Sequence, residues 1–276
     1  MIRGYQMKRI VVLLFLALFA STASNPALAD FNSGKKAYDR GDFAVAAKLW
    51  RQAGQAGDAK AQTNLGVLYA SGRGVEKDAE KSVFWYRKAA LAGYPKGQYN
   101  LGLMYRSGRG VEKDETAAAG WFRKAAKQGL ASAQYMLGLA HRYGRGAEKS
   151  NNRAASLIMK AAKTGYARAQ YGLGRLYETG RGVAKDLTKA ANWYRQAAEQ
   201  GYGPAQYELG LAFKRGEGVE ANIVEAYKWL ALGAKRSRGK ISERAKAEAR
   251  EIAAALNEKQ ISQAMALVAR WKPERL

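Results

Sequence analysis

The sequence predicts an all-α fold, a right-handed α-solenoid of helix–turn–helix repeats followed by a C-terminal capping helical segment. The first observation is a strict 36-residue period, in which Leu-Gly recurs at 65–66, 101–102, 137–138, 173–174 and 209–210. The second is a Gly-x-Gly pair that keeps the same step, at 72/74, 108/110, 144/146, 180/182 and 216/218. Between these glycines, apolar residues follow the i, i+3, i+4, i+7 spacing of an amphipathic helix. Five units without insertions predict a stacked repeat array.

Composition limits the chemistry that this chain can carry. The 276 residues include no Cys, which excludes disulfides, thiolate metal sites and cysteine nucleophiles. His141 is the single histidine, so a histidine-cluster metal site is excluded as well. With 47 Lys and Arg against 23 Asp and Glu, the formal net charge is +24. We therefore expect no cofactor and no metal, and a partner that is acidic.

The first 29 residues have the pattern of a secretory signal peptide. Arg3, Lys8 and Arg9 precede the apolar run 10–20, and Ala27-Leu28-Ala29 forms a small-x-small cleavage site before Asp30. The run is shorter than the about 20 residues that span a bilayer, and an uncleaved anchor is the alternative. Cleavage after Ala29 removes three basic and no acidic residues, which leaves a net charge of +21. The predicted location is periplasmic or secreted, without a transmembrane span in the mature chain.

Each 36-residue unit is predicted to form two helices. The first ends at Gly-x-Gly, where glycine adopts the left-handed conformation without a Cβ penalty. The second ends in Ala-Ala-x-x-Gly, and Pro95 and Pro204 fall just before the next first helix. The second helix begins after a preferred N-cap residue, which is in turn Asp78, Asp114, Ser150, Asp186 and Asn222.

Residue columns in the repeat predict how the helices pack. Small residues are expected to allow close approach, at Gly66, Gly102, Gly138, Gly174 and Gly210 and at Ser82, Ala118, Ala154, Ala190 and Ala226. Aromatic columns are expected to supply the buried area, at Tyr69, Tyr105, Tyr177 and Phe213 and at Trp85, Trp121, Trp193 and Trp229.

The unit AQTNLGVLYASGRGVEKDAEKSVFWYRKAALAG and its four copies resemble the Sel1-like repeat, a relative of the tetratricopeptide repeat. On this resemblance, residues 59–240 hold five Sel1-like repeats. Residues 30–58 resemble a shortened tetratricopeptide-like unit with Tyr38 and Leu49-Trp50 at the family's aromatic positions. Residues 241–276 are predicted to be a helical cap, with one helix to about Leu256 and a second that starts at the capping-box residues 257–260 and ends near Trp271. The resemblance implies an α-solenoid with a concave groove that serves as a scaffold or adaptor for other proteins.

No catalytic constellation is present, and we predict a non-enzymatic protein. His141 stands in register with Tyr69 and Tyr105, so its ring is expected to pack between helices. The Gly-Arg-Gly-Val loops differ from a phosphate-binding loop, which follows a strand and ends in Gly-Lys-Ser/Thr.

Two rows of residues are candidates for partner binding. The first is basic, Arg73, Arg109, Arg145 and Arg181, and Glu217 breaks it. The second is aromatic, Tyr99, Tyr135, Tyr171 and Tyr207. The alternatives are that the arginines are solvated loop residues and that the tyrosines pack between helices.

Net positive charge favours anionic partners through long-range attraction. The densest basic run is 235–240, between the last repeat and the cap. We expect a protein-binding scaffold of the cell envelope with acidic partners. The alternative is a module that binds anionic cell-wall or exopolysaccharide polymers, and export argues against nucleic acid.

Overall fold

The computed structural model describes residues 30–274, which form fourteen α-helices and no strand. The helices are α1 Phe31–Asp39, α2 Phe43–Gln55, α3 Ala59–Ser71, α4 Ala79–Leu91, α5 Pro95–Ser107, α6 Glu115–Lys127, α7 Ala131–Tyr143, α8 Asn151–Lys163, α9 Ala167–Thr179, α10 Leu187–Glu199, α11 Gly203–Arg215, α12 Ile223–Arg236, α13 Lys240–Ala255 and α14 Glu258–Arg270. The signal peptide predicted over 1–29 lies outside the described residues.

The helices stack in chain order. From α1 to α13, consecutive helices pack on each other, and several first helices also contact the first helix of the next unit, as α3 and α5 do. The arrangement departs from this order at its end, where α14 folds back onto α12. The predicted all-α solenoid is therefore confirmed. Among residues 30–274, no helix is long and apolar enough to cross a membrane.

Short-range side-chain and backbone contacts begin and end the helices where the sequence predicts. All five predicted N-cap side chains accept a hydrogen bond from a backbone N–H in the first turn of their helix. The first glycine of every Gly-x-Gly pair is left-handed, with φ between 66° and 72°. One detail differs, because Pro95 and Pro204 lie within the first turn of α5 and α11 rather than before it. Proline is tolerated there because the N–H it lacks has no partner in the helix.

The buried column of the second helix is one residue later than predicted. Of the tryptophans expected to fill the core, Trp85 and Trp229 are buried, whereas Trp121 and Trp193 are partly exposed. The column that stays at 5% exposure or less in every unit is Tyr86, Phe122, Ile158, Tyr194 and Leu230. These side chains lie over the glycine of Leu-Gly, where a Cβ would come within 2.5–2.8 Å of them. The predicted close approach at this glycine is confirmed. The buried area is supplied in every unit by the residue that follows the predicted tryptophan position.

A glutamine column joins each first helix to the second helix before it. The side-chain amides of Gln62, Gln98 and Gln206 are buried and donate to carbonyl oxygens eight residues earlier, at 2.8, 3.3 and 3.1 Å. These carbonyls belong to the last turn of a helix, where no intrahelical donor exists. Each of these carbonyls also accepts a backbone N–H three residues later, so the amide adds a second hydrogen bond at the junction between units.

The two ends of the stack close differently. At the N-terminal end, the Trp50 indole N–H donates to the Phe31 carbonyl oxygen at 3.0 Å, which joins α2 to α1. At the C-terminal end, α14 begins with a capping box between Asn257 and Gln260. Trp271 then packs edge-on against Trp229, with ring centroids 6.3 Å apart. The last helix thus covers apolar surface of the fifth repeat.

Candidate partner-binding surface

The four arginines of the predicted basic row lie on the loop edge of the solenoid, and all four side chains are exposed. In each case, the backbone N–H donates to the carbonyl oxygen five residues earlier, as Arg145 does to Ala140 at 2.9 Å. The loop is closed by a second bond, such as the one from the Ser150 N–H to the His141 carbonyl oxygen at 2.9 Å. The backbone position of each arginine is therefore set by the end of the first helix.

The second glycine of each pair places the arginine at a boundary between units. A Cβ on Gly146 would lie 1.8 Å from the Glu115 carbonyl oxygen, and one on Gly110 would lie 2.2 Å from that of Ala79. Glu115 and Ala79 are the first residues of second helices one unit earlier. Each loop thus rests on the preceding unit, so successive arginines follow the stack at one per unit.

None of the four arginines forms a salt bridge within residues 30–274. Arg73 donates to the Tyr38 hydroxyl at 3.4 Å and lies over the Phe43 ring. The Arg145 guanidinium is 5.3 Å from the ring centroid of Tyr143. Aromatic stacking orients a guanidinium without neutralising its charge, so the row remains available to an anion. It ends at Glu217, which lies 3.7 Å from Arg215.

The tyrosine row lies on the first helices, where its rings are half-buried. Tyr135 packs edge-on against Tyr166 at 5.9 Å, and Tyr171 lies 5.4 Å from Tyr202 and 5.9 Å from Tyr194. Burial raises the pKa of Tyr135 to about 12, so its hydroxyl is neutral at ordinary pH. These rings pack between helices and keep part of their surface exposed, each in the first half of its helix, ten residues before the position of the arginine row in the same unit.

Sequence reasoning missed several members of this surface. Tyr166 and Tyr202 precede first helices and extend the aromatic row, and their column, Tyr94, Leu130, Tyr166 and Tyr202, was visible in the repeat alignment. Arg175 was missed as well, although the equivalent positions of the other four repeats are apolar. They are Val67, Leu103, Leu139 and Leu211. Its guanidinium lies 3.1 Å from Glu178 and 3.3 Å from Glu208, which makes an ionic cluster on the first helices of units four and five.

His141 is buried, as its place in the aromatic column predicts, and its Nδ1 lies 2.8 Å from the Glu148 carbonyl oxygen. This contact places the proton on Nδ1 and ties the ring to the loop. Within the described range, no group of three or more His, Asp or Glu side chains is placed to hold a metal ion.

The Sel1 repeat family model matches five times, at residues 59–94, 95–130, 131–166, 167–202 and 203–237. A Sel1 repeat protein from Oxalobacter formigenes, solved by crystallography, is 34% identical, with a TM-score of 0.67 over 76% of this chain and 86% of that one. The c5321 protein, a protective antigen of uropathogenic Escherichia coli with the same fold, is 26% identical, with a TM-score of 0.50 over 87% of this chain and 68% of that one.

A Sel1 repeat protein from Klebsiella pneumoniae is 24% identical, with a TM-score of 0.50 over 75% of this chain and 99% of that one, and supports the fold alone. No curated protein matches the chain. The five matched repeats cover more than half of the sequence, and they coincide with the helix pairs of the structure. The chain belongs to the Sel1 repeat family, whose members are generally non-catalytic scaffolds for protein–protein interaction.

Proposed function

We propose that this protein is an exported, non-enzymatic scaffold of the cell envelope that binds an acidic segment of a partner protein along its loop edge. The observation that carries the proposal is the row of Arg73, Arg109, Arg145 and Arg181, which are exposed, in register and outside any salt bridge of the described residues. These unpaired positive charges add to the net positive charge of the chain, which is +24 over the full sequence and +21 after cleavage at Ala29.

The spacing of the row suits an extended anionic ligand. Packed helices lie about 10 Å apart, so successive arginines recur at about that distance. Each guanidinium presents a fork of donors that matches a carboxylate. Attraction between exposed charges acts over about 8–10 Å at moderate ionic strength, so neighbouring arginines act on the same ligand.

Crosslinking from the periplasm, followed by kinetic binding measurements with the captured partner, tests the proposal. The double variant Arg109→Glu/Arg181→Glu should lower the association rate about tenfold or more, because rim charges act mainly on association. Raising the salt concentration to about 0.5 M should weaken wild-type binding strongly, since the Debye length shortens.

The matched control is Lys127→Glu/Lys163→Glu, which removes the same charge from the last turns of α6 and α8. A helix of thirteen residues is about 20 Å long, so these lysines lie at the opposite edge of the stack. If both double variants slow association equally, only net charge matters and the arginine row is not the site. If wild-type binding is indifferent to salt, the electrostatic proposal is wrong. Sedimentation of the protein with purified cell wall or acidic polysaccharide, without a stoichiometric protein partner, would instead favour polymer binding.

Export is the second part of the proposal, and it is supported by the charged start, the apolar run 10–20 and the Ala-Leu-Ala site. N-terminal sequencing of the protein from a bacterial periplasm or culture medium should begin at Asp30. A chain that begins at Met1 would contradict cleavage.

A further inference from the structure

Two cavities of the described chain occupy the same position in the repeat. Each lies between the second helix of one unit and the first helix of the next, at α6/α7 and α10/α11, and each is also lined by one residue from the end of the preceding first helix. The α6/α7 and α10/α11 cavities correspond residue by residue at an offset of two units, for example Phe122 with Tyr194 and Leu139 with Leu211. The repeat therefore builds one type of cavity, and local substitutions decide its chemistry.

The cavity between α6 and α7, here called the basic cavity, has an apolar floor beneath two arginines. Phe122, Leu139 and Met136 line a volume of about 80 Å³. Arg106 and Arg145 stand at its rim, and the Arg106 guanidinium lies 3.6 Å from the Met136 sulfur. Glu115 is the one acidic lining residue, and it lies 3.6 Å from the Lys113 ammonium. This cavity suits a small aliphatic group that has a carboxylate next to it.

The cavity between α10 and α11, here called the acidic cavity, carries the opposite charge at the same positions. Glu178 replaces Arg106 and Glu217 replaces Arg145, while Glu208 replaces Met136. Arg215 also lines this cavity. With Arg175, which pairs with Glu178 and Glu208, three carboxylates face two guanidinium groups. A negative excess therefore remains inside a protein whose surface is otherwise strongly basic.

One buried group of the acidic cavity lacks a hydrogen-bond partner. Tyr194 is 3% exposed, and its hydroxyl has no hydrogen-bond partner among the described residues. Burial raises the pKa of Glu208, although the neighbouring Arg175 opposes this shift. The cavity volume is about 20 Å³, which is room for one group the size of a water molecule. An ammonium group has this size, and it would donate to both the hydroxyl and a carboxylate.

We infer that the surface over these two cavities binds an extended peptide segment in one direction, with an acidic residue next to a small aliphatic residue at the basic cavity and a lysine at the acidic cavity. This inference rests on the proposed protein-binding function and adds the pattern and direction of the ligand. The cavities are two units apart, about 20 Å at 10 Å per unit. An extended chain advances about 3.3 Å per residue, so the two anchors stand about six residues apart.

Opposite charges at a fixed separation favour a polypeptide over a uniformly anionic polymer. A polysaccharide of repeated uronic acids would gain attraction at the basic cavity but would meet the carboxylates of the acidic cavity two units further along. Like charges brought together in this way lower the affinity for the wrong partner. A peptide carries both charge types and satisfies both cavities at once.

Selection of random dodecapeptides on phage against the mature chain tests the inference, followed by affinity measurements with the enriched synthetic peptides. Enriched sequences should pair an acidic and a small aliphatic residue with a lysine about six positions away, in one order. The same peptide synthesised in reverse order should bind at least tenfold more weakly. Arg106→Glu and Glu178→Arg should each lower affinity about tenfold or more, and exchanging the matching peptide charge should restore it.

Lys160→Glu is the control, because Lys160 is exposed in the last turn of α8, between the two cavities along the chain, and lines neither of them. Its affinity should remain within about threefold of the wild type, with helix content checked by circular dichroism for all variants. Uniformly acidic enriched peptides, equal binding of the reversed peptide or tighter binding by Glu178→Arg would each overturn the inference. So would a failure to enrich any peptide. None of these results decides the proposed function, which depends on the captured partner and on the loop variant Arg109→Glu/Arg181→Glu, whose residues line neither cavity.

Discussion

Alanine substitutions at Gly144 and Gly146 should have very different costs, although the two glycines stand in the same loop. Both are left-handed, with φ of 67° and 64°. A Cβ on Gly144 would meet only the Lys149 Cβ at 3.4 Å, which is an ordinary contact. A Cβ on Gly146 would lie 1.8 Å from the Glu115 carbonyl oxygen and 2.2 Å from its carbonyl carbon. The pair therefore separates backbone conformation from the contact between units.

The expected free energies follow from these distances. A non-glycine residue in the left-handed region costs about 1–2 kcal/mol, and this is the full expected cost of Gly144→Ala. Gly146→Ala has the same conformational cost, and the overpacking against the Glu115 backbone adds about 1–3 kcal/mol to it. Because the obstructing atoms are backbone atoms of α6, the clash is relieved only by moving one unit away from the next. The expected total is about 2–5 kcal/mol.

Urea unfolding followed by circular dichroism measures both costs. Repeat arrays are stabilised by interfaces between neighbours, so weakening one interface reduces cooperativity as well as stability. Hydrogen exchange should therefore show faster opening of α6 and α7 in Gly146→Ala and little change there in Gly144→Ala. Equal destabilisation by the two substitutions, with uniform changes in exchange, would refute the assignment of Gly146 to the contact between units.

Three further predictions concern single side chains. His141→Tyr should change the free energy of unfolding by no more than about 1 kcal/mol. The substitution removes the bond to Glu148, but the new hydroxyl can accept a hydrogen bond from Arg123, as the hydroxyls of Tyr69 and Tyr105 accept one from the arginine eighteen residues earlier. Thermal unfolding measures the change, and a large loss of stability would show that His141 has another role. Because the pKa of Tyr135 is raised to about 12 in the folded protein, folding favours its protonated form. This contribution to the free energy of unfolding is complete below pH 10 and is lost as pH rises toward 12. Ultraviolet titration should show the raised pKa, and Tyr135→Phe should reduce the loss of stability at high pH. Ser150→Ala should lower the free energy of unfolding by about 1 kcal/mol, because the Ser150 hydroxyl accepts a hydrogen bond from the Arg153 N–H at the start of α8. Ser156 is exposed in the same helix, so Ser156→Ala should be nearly neutral. Chemical denaturation measures both values.

Features that depend on contacts within a few residues were predictable from the sequence. The N-cap at Asp114 accepts from the N–H three residues later, and the left-handed Gly108 ends α5 at the predicted place. The 36-residue period predicted the unit and the solenoid, since identical amphipathic pairs bury their apolar faces only by stacking. The capping box at Asn257 and Gln260 was readable for the same local reason. The sequence by itself therefore determined the helices, their ends and the repeat architecture.

Only the tertiary structure decided how the units face one another. Both glycines of Gly-x-Gly look like helix stops in the sequence, yet the second is required by a backbone more than thirty residues earlier. The column buried in every unit is Phe122 and its equivalents, whereas only two of the tryptophans before them are buried, because the crossing of two helices selects which side chain lies over Gly102. The opposite charges at Arg106 and Glu178 are visible in the alignment, but their cavities exist only where one unit meets the next. Helix starts and ends depend on hydrogen bonds and backbone conformations within a few residues, whereas packing between units depends on the position of whole helices in space.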